Sequence, residues 1–110
     1  MENFQSVFGD KVLEAYKLYS EYFFYIKNDQ RAPTIGVKVL VDLNGTFGYS
    51  LSHHYQGRKQ AGAYTSSHNH CFENERAALE GAKSEAFSFY DANDLDAVWI
   101  PNPMYNIELV

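Results

Sequence analysis

Five side chains able to hold a metal or move a proton lie in two short stretches of the chain: His53 and His54, then His68, His70 and Cys71. Imidazole and thiolate form a zinc site when three or four converge to about 2 Å from the ion. The spacing works against convergence. If the segment carrying His54 folds back at Gly57 and Arg58, His54 falls opposite Ala61, and His68 then lies about seven residues, or roughly 20 Å, farther along. His68, His70 and Cys71 alone lack a distant fourth ligand. No metal and no cofactor is therefore expected, and these residues read as a polar strand end with exposed histidines and one small, buried or half-buried thiol.

Other chemistries fare no better. Cys71 and His70 are sequence neighbours, whose side chains point to opposite faces of a strand rather than towards each other. Ser66 and Ser67 have no nucleophile elbow around them. Asp91, Asp94 and Asp96 sit beside Asn93, where such residues are expected as turn formers. They lack the alternating ligands and closing glutamate of a calcium loop. Neither a phosphate-cradling nor a dinucleotide glycine motif is present. The expectation is a protein without catalytic residues.

The elements that must carry these side chains fit one domain, residues 1–110, long enough for a single core. Apolar residues make up 45% of the chain, and the net charge of −5 comes from 14 acidic against 9 basic residues without any run of one sign. Scattered cations disfavour direct nucleic-acid binding, which draws its affinity from clustered Lys and Arg. An acidic surface suits a basic-surfaced partner. A single cysteine excludes an internal disulfide. The first ten residues have no secretory pattern, and no stretch approaches the roughly 20 apolar residues of a membrane span. A cytoplasmic protein is expected.

The aromatic content, 16% with nine tyrosines and eight phenylalanines, is high. Tyrosine tolerates partial exposure and is enriched at interfaces.

Asp10 is placed to cap a helix in which Val12, Ala15, Tyr16, Tyr19, Phe23 and Ile26 recur at three- and four-residue steps, ending near Lys27 and Asn28. A competing reading makes residues 22–26 a short aromatic strand. On the helix, Leu18, Phe24 and Tyr25 cannot share the stripe that faces a sheet, so they are the candidate protein-binding patch.

Ile35, Val37, Val39, Val41 and Leu43 alternate as a half-buried strand, and Phe47, Tyr49, Leu51 and His53 alternate after Asn44 and Gly45. A two-residue turn at Asn44 and Gly45 would put the two apolar sets on opposite faces. A type I turn with Gly45 in the left-handed conformation of a bulge instead sets Val41 against Phe47, Val39 against Tyr49 and Val37 against Leu51.

Residues 56–59 read as a second turn and residues 61–67 as a third strand. Asn74 caps a helix with the stripe Ala78, Leu79, Ala82, Ala86 and Tyr90, whose small residues allow close approach to a sheet. Within it Gly81 costs about 1 kcal/mol relative to Ala. Residues 91–94 form a turn, residues 97–100 a short strand stopped by Pro101, and Ile107 with Leu109 a last edge strand. The expected fold is α+β, an antiparallel sheet of three to four strands with two helices packed on it, in the order α-β-β-β-α-β.

That helix, three strands, helix order resembles a double-stranded-RNA-binding domain. The family's second helix opens with a lysine cluster, where this chain has Glu73, Asn74, Glu75 and Arg76, so the RNA contact itself is missing. The run Phe72, Glu73, Asn74, Glu75, Arg76, Ala77, Ala78, Leu79, following a hairpin, also resembles small accessory proteins of phages and mobile elements, including some anti-CRISPR inhibitors. This resemblance implies a stoichiometric inhibitor or adaptor acting by surface occlusion. A homo-oligomer built on the apolar face of the first helix is the alternative.

Overall fold

The computed structural model describes residues 16–58 and 71–107. Their central feature is an antiparallel sheet of β1 (Tyr16–Phe24), β2 (Ile35–Asp42) and β3 (Phe47–Leu51), with β2 in the middle. The expected β2–β3 register is the observed one: Val41 pairs with Phe47, Val39 with Tyr49 and Val37 with Leu51. Gly45 takes φ +81°, its amide donates to the Asp42 carbonyl at 3.1 Å, and the Asp42 amide donates to the Thr46 carbonyl at 3.0 Å. A left-handed residue after a type I turn restores the parity that a two-residue loop would break.

The residues expected to form the first helix are instead β1, an edge strand running antiparallel to β2. Five of its nine residues are aromatic, and aromatic rings fit a pleated surface better than a helical one. A bulge between Leu18 and Ser20 explains the helical appearance of the sequence. Below it Leu18 pairs with Leu40; above it Ser20 pairs with Val39, Tyr22 with Val37 and Phe24 with Ile35. One extra residue shifts the alternation, so apolar residues recur at three- and four-residue steps without a helix. The competing strand at residues 22–26 was the nearer description, though the strand starts earlier. Asp10 lies outside the described residues.

A helix, α1 (Glu75–Phe87), crosses one face of this sheet. The side chain of Asn74 accepts from the Ala77 amide at 2.8 Å, the expected cap. Ala78, Ala82 and Ala86 are all buried, and Ala82 and Ala86 lie over Ile35, Val37, Tyr49 and Leu51, with Phe24, Phe72, Leu79 and Phe87 closing the margin. At Gly81 an added Cβ would stand 2.6 Å from Phe72 Cζ, so the glycine is where helix and aromatic ring meet most closely. Phe72 is itself fastened to the end of β3, exchanging both backbone hydrogen bonds with Phe47 at 2.9 and 3.0 Å. The helix stops at Phe87, short of Tyr90.

β2 is not half-buried as expected; it is covered on both faces, Lys38 and Leu40 included. Part of that second cover is a short helix, α2 (Met104–Ile107), which replaces the edge strand expected at Ile107. Leu109 lies outside the described residues. Tyr105 is buried against Gly36, where any Cβ would collide with its hydroxyl at 2.5 Å. The Tyr105 hydroxyl donates to Glu21 at 2.6 Å, while Lys38 Nζ donates to the Tyr105 carbonyl at 2.8 Å and lies 4.2 Å from its ring centroid. A buried ammonium is tolerable when a carbonyl and an aromatic face replace its water.

The strand expected to run through Leu51 to His53 breaks at Ser52. Beyond the break, β4 (His53–Gln56) pairs antiparallel with β5 (Val98–Pro101) as a separate two-stranded sheet. Residues 61–67 lie outside the described residues, so the third strand expected there does too. The fold is α+β, and over the described residues the order is β-β-β-β-α-β-α. No helix among the described residues is long and apolar enough to cross a membrane.

Candidate functional site

The β4–β5 sheet forms the floor of an open cleft of about 340 Å³. Alternate residues of a strand share a face. His53 and Tyr55 accordingly face the cleft together, and Trp99, directly opposite Tyr55 across the pair, joins them. Asp29, Arg31, Ala32 and Pro33 make one wall; Asp91, Ala97 and Val98 make the other.

The floor is built from rings. Tyr55 and Trp99 meet edge to face, centroids 5.0 Å apart and planes at 65°, and Tyr90 backs both at 5.4 and 6.2 Å. The Tyr55 hydroxyl donates to the Asp91 carbonyl at 3.1 Å and accepts from the Asp91 amide at 3.2 Å, which fixes that wall to the floor.

The walls are held to each other by Arg31. Its guanidinium donates to the carbonyls of Ala92 and Leu95, each at 3.3 Å, and Nε lies 3.8 Å from Asp29 Oδ1. Asp29 also accepts from the Tyr90 hydroxyl at 2.7 Å and from the Arg31 amide at 3.1 Å. These bonds, the Tyr90 hydroxyl foremost, hold the Asp29 carboxyl below the usual carboxylate range. In return Asp29 pushes the Tyr90 phenol up to about 12. Burial lowers His53, which favours its neutral form. The lining thus includes two aspartates and one arginine, whose guanidinium is shared between the Asp29 carboxylate and the backbone carbonyls of Ala92 and Leu95.

A second polar group lies between α1 and the strands. Tyr49 donates to Glu85 Oε1 at 3.0 Å, and His54 Nδ1 is 3.9 Å from Glu85 Oε2. Burial pushes the Tyr49 phenol up, reinforced by the Glu85 charge, and lowers His54 in spite of it.

The candidate patch of Leu18, Phe24 and Tyr25 is not brought together. Phe24 faces α1 and packs on Phe87, ring centroids 5.9 Å apart. Leu18 pairs with Leu40 on the other face of the sheet, and Tyr25, 81% exposed, follows the end of β1. Helical geometry had kept all three off the sheet-facing stripe, whereas strand geometry turns Phe24 into the core and parts it from Leu18 and Tyr25. The exposed aromatic residues of this region are Tyr19, Tyr22, Phe23 and Tyr25.

Of the metal-binding candidates, His68 and His70 lie outside the described residues, Cys71 is exposed rather than buried or half-buried as expected, and no group of three potential ligands occurs among the described residues. The cleft residues Asp29, Arg31, Tyr55 and Trp99 were not singled out by sequence reasoning. Only the lone tryptophan between an Asp-rich turn and Pro101 hinted at them.

Comparison with family models, curated proteins and solved structures gave no match.

Proposed function

We propose that this chain is a non-enzymatic protein-binding module, a stoichiometric inhibitor or adaptor that acts by covering a partner's surface. One observation carries the reading: Tyr19, Tyr22, Phe23 and Tyr25 lie exposed along one edge strand and its continuation, Tyr22 on the α1 face and Phe23 on the other, so that aromatic rings flank both sides of this edge. Isolated apolar residues are ordinary on a protein surface, whereas adjoining aromatic ones are characteristic of contact surfaces. The resemblance of residues 72–79 to phage accessory inhibitors agrees with it. So does the net charge of −5, which favours a basic-surfaced partner.

The test compares the native chain with a Phe23→Ser, Tyr25→Ser variant in affinity capture from the native host, followed by binding measurements on the purified complex. Both side chains are mostly exposed, at 64% and 81%, so the melting temperature is expected to stay close to that of the parent. Loss of a central aromatic anchor weakens a complex by about 2 kcal/mol, or roughly 30-fold. A variant that folds and binds the same partner with unchanged affinity removes β1 from the contact.

The outer edge of β1 also favours a second reading, self-association by strand pairing into a homodimer. Among the described residues nothing pairs with that edge. Light scattering across a concentration series separates the two, since a strictly monomeric chain excludes self-pairing.

A further inference from the structure

We infer that the cleft over Tyr55 and Trp99 receives one organic cation, the ammonium or guanidinium head of a basic side chain presented by the partner. This inference rests on the protein-binding reading above and names the chemistry of the contact. Three features of the cleft support it independently of β1.

The first is shape. Trp99 is half-buried in the lining, and Tyr55, 6% exposed, braces it edge to face at 65°, so a cation in the cleft meets the tryptophan ring held in a fixed orientation. Ring faces are electron-rich, and tryptophan attracts cations most strongly. The second is charge. Asp29 and Asp91 line the cleft, and the fully formed hydrogen bonds of Asp29 keep it ionised. Arg31, whose Nε lies 3.8 Å from Asp29, offsets one of these two charges and leaves the lining with one negative charge in excess. An anion would find few free donors and two carboxylates. The third is size: about 340 Å³ is at the small end of ligand sites, right for a side-chain head with its methylenes.

Trp99 is the only tryptophan in the chain, so its selectively excited fluorescence reports directly from the cleft. The full chain is titrated with acetylated and amidated short peptides containing lysine, trimethyllysine or arginine. Parallel titrations use free choline, its neutral isostere 3,3-dimethylbutanol, and sodium chloride at matched ionic strength. A saturable Trp99 shift is expected with at least one cationic peptide, and none with the isostere or salt. Asp91→Asn, which keeps the oxygen that accepts from the Asn93 amide at 2.9 Å, is expected to weaken that binding roughly five-fold.

Equal response to the neutral isostere, silence towards every cation, or full affinity in Asp91→Asn overturns the inference. So does saturation by free choline without response to any peptide, which would assign the cleft to a small molecule. The two proposals fail separately. A silent cleft with intact, β1-dependent partner capture sinks only the cation site, whereas a responsive cleft with capture indifferent to Phe23 and Tyr25 sinks only the β1 contact.

Discussion

His53 and His54 sit side by side in β4, and burial lowers both, in His54 against the opposing pull of Glu85. In the unfolded chain an imidazole takes up its proton near pH 6.5. As pH falls below that value the unfolded state binds protons that the folded state still refuses, so stability declines until the folded histidines also titrate. Asp29, lowered chiefly by the Tyr90 hydroxyl, acts in the same direction at lower pH, where its unfolded carboxyl protonates first. The urea midpoint is therefore expected to drop between pH 7 and pH 5, and to drop less in His54→Gln. A midpoint that is flat over this interval would show that neither imidazole is held neutral by the fold.

At the scale of elements, α1 and the β2–β3 hairpin were legible because one period dominates each. Asn74, three alanines four residues apart and Gly45 leave little freedom, and cap, stripe and turn all agree. The contact at Gly81 gives this packing a measurable consequence. Alanine would favour the helix by about 1 kcal/mol, but its methyl would meet Phe72 at 2.6 Å and Tyr49 at 3.2 Å. Overpacking costs typically 1–3 kcal/mol. Gly81→Ala is thus expected to destabilise the protein by about 1 kcal/mol in denaturant titration; a gain would mean that Phe72 swings aside freely. β1 was illegible for a specific reason. Its bulge at Tyr19 replaces strict alternation by steps that mimic a helix, and only the partner strand distinguishes them. The patch assigned to Leu18, Phe24 and Tyr25 failed with it. The cleft was hidden for another reason: Asp29 and Trp99 are 70 positions apart, and it takes the turn at residues 29–33 and the β4–β5 pairing to unite them.

Across the whole molecule, the surprise is how much of the second sheet face is closed by polar means. Lys38 read as an outward residue of an alternating strand, yet it ends on the Tyr105 carbonyl, beneath a ring that also reaches Glu21. No local pattern announces a partner 67 residues away. The two sheets meet at Ser52. Its amide donates to the Gly36 carbonyl at 2.9 Å, its hydroxyl accepts from the Gly36 amide at 2.7 Å, and its carbonyl accepts from the Asn102 amide at 2.8 Å. This single residue is therefore stitched to the middle strand of one sheet and to the chain just beyond the last strand of the other. Ser52 thereby couples the two sheets through three hydrogen bonds, each contributing about 1 kcal/mol. Coupling through this junction is expected to make hydrogen exchange at the Ser52 and Asn102 amides proceed at matching free energies, as it would for a seam that opens only when the whole garment does; an Asn102 amide that exchanges much more easily would show that β5 frays by itself.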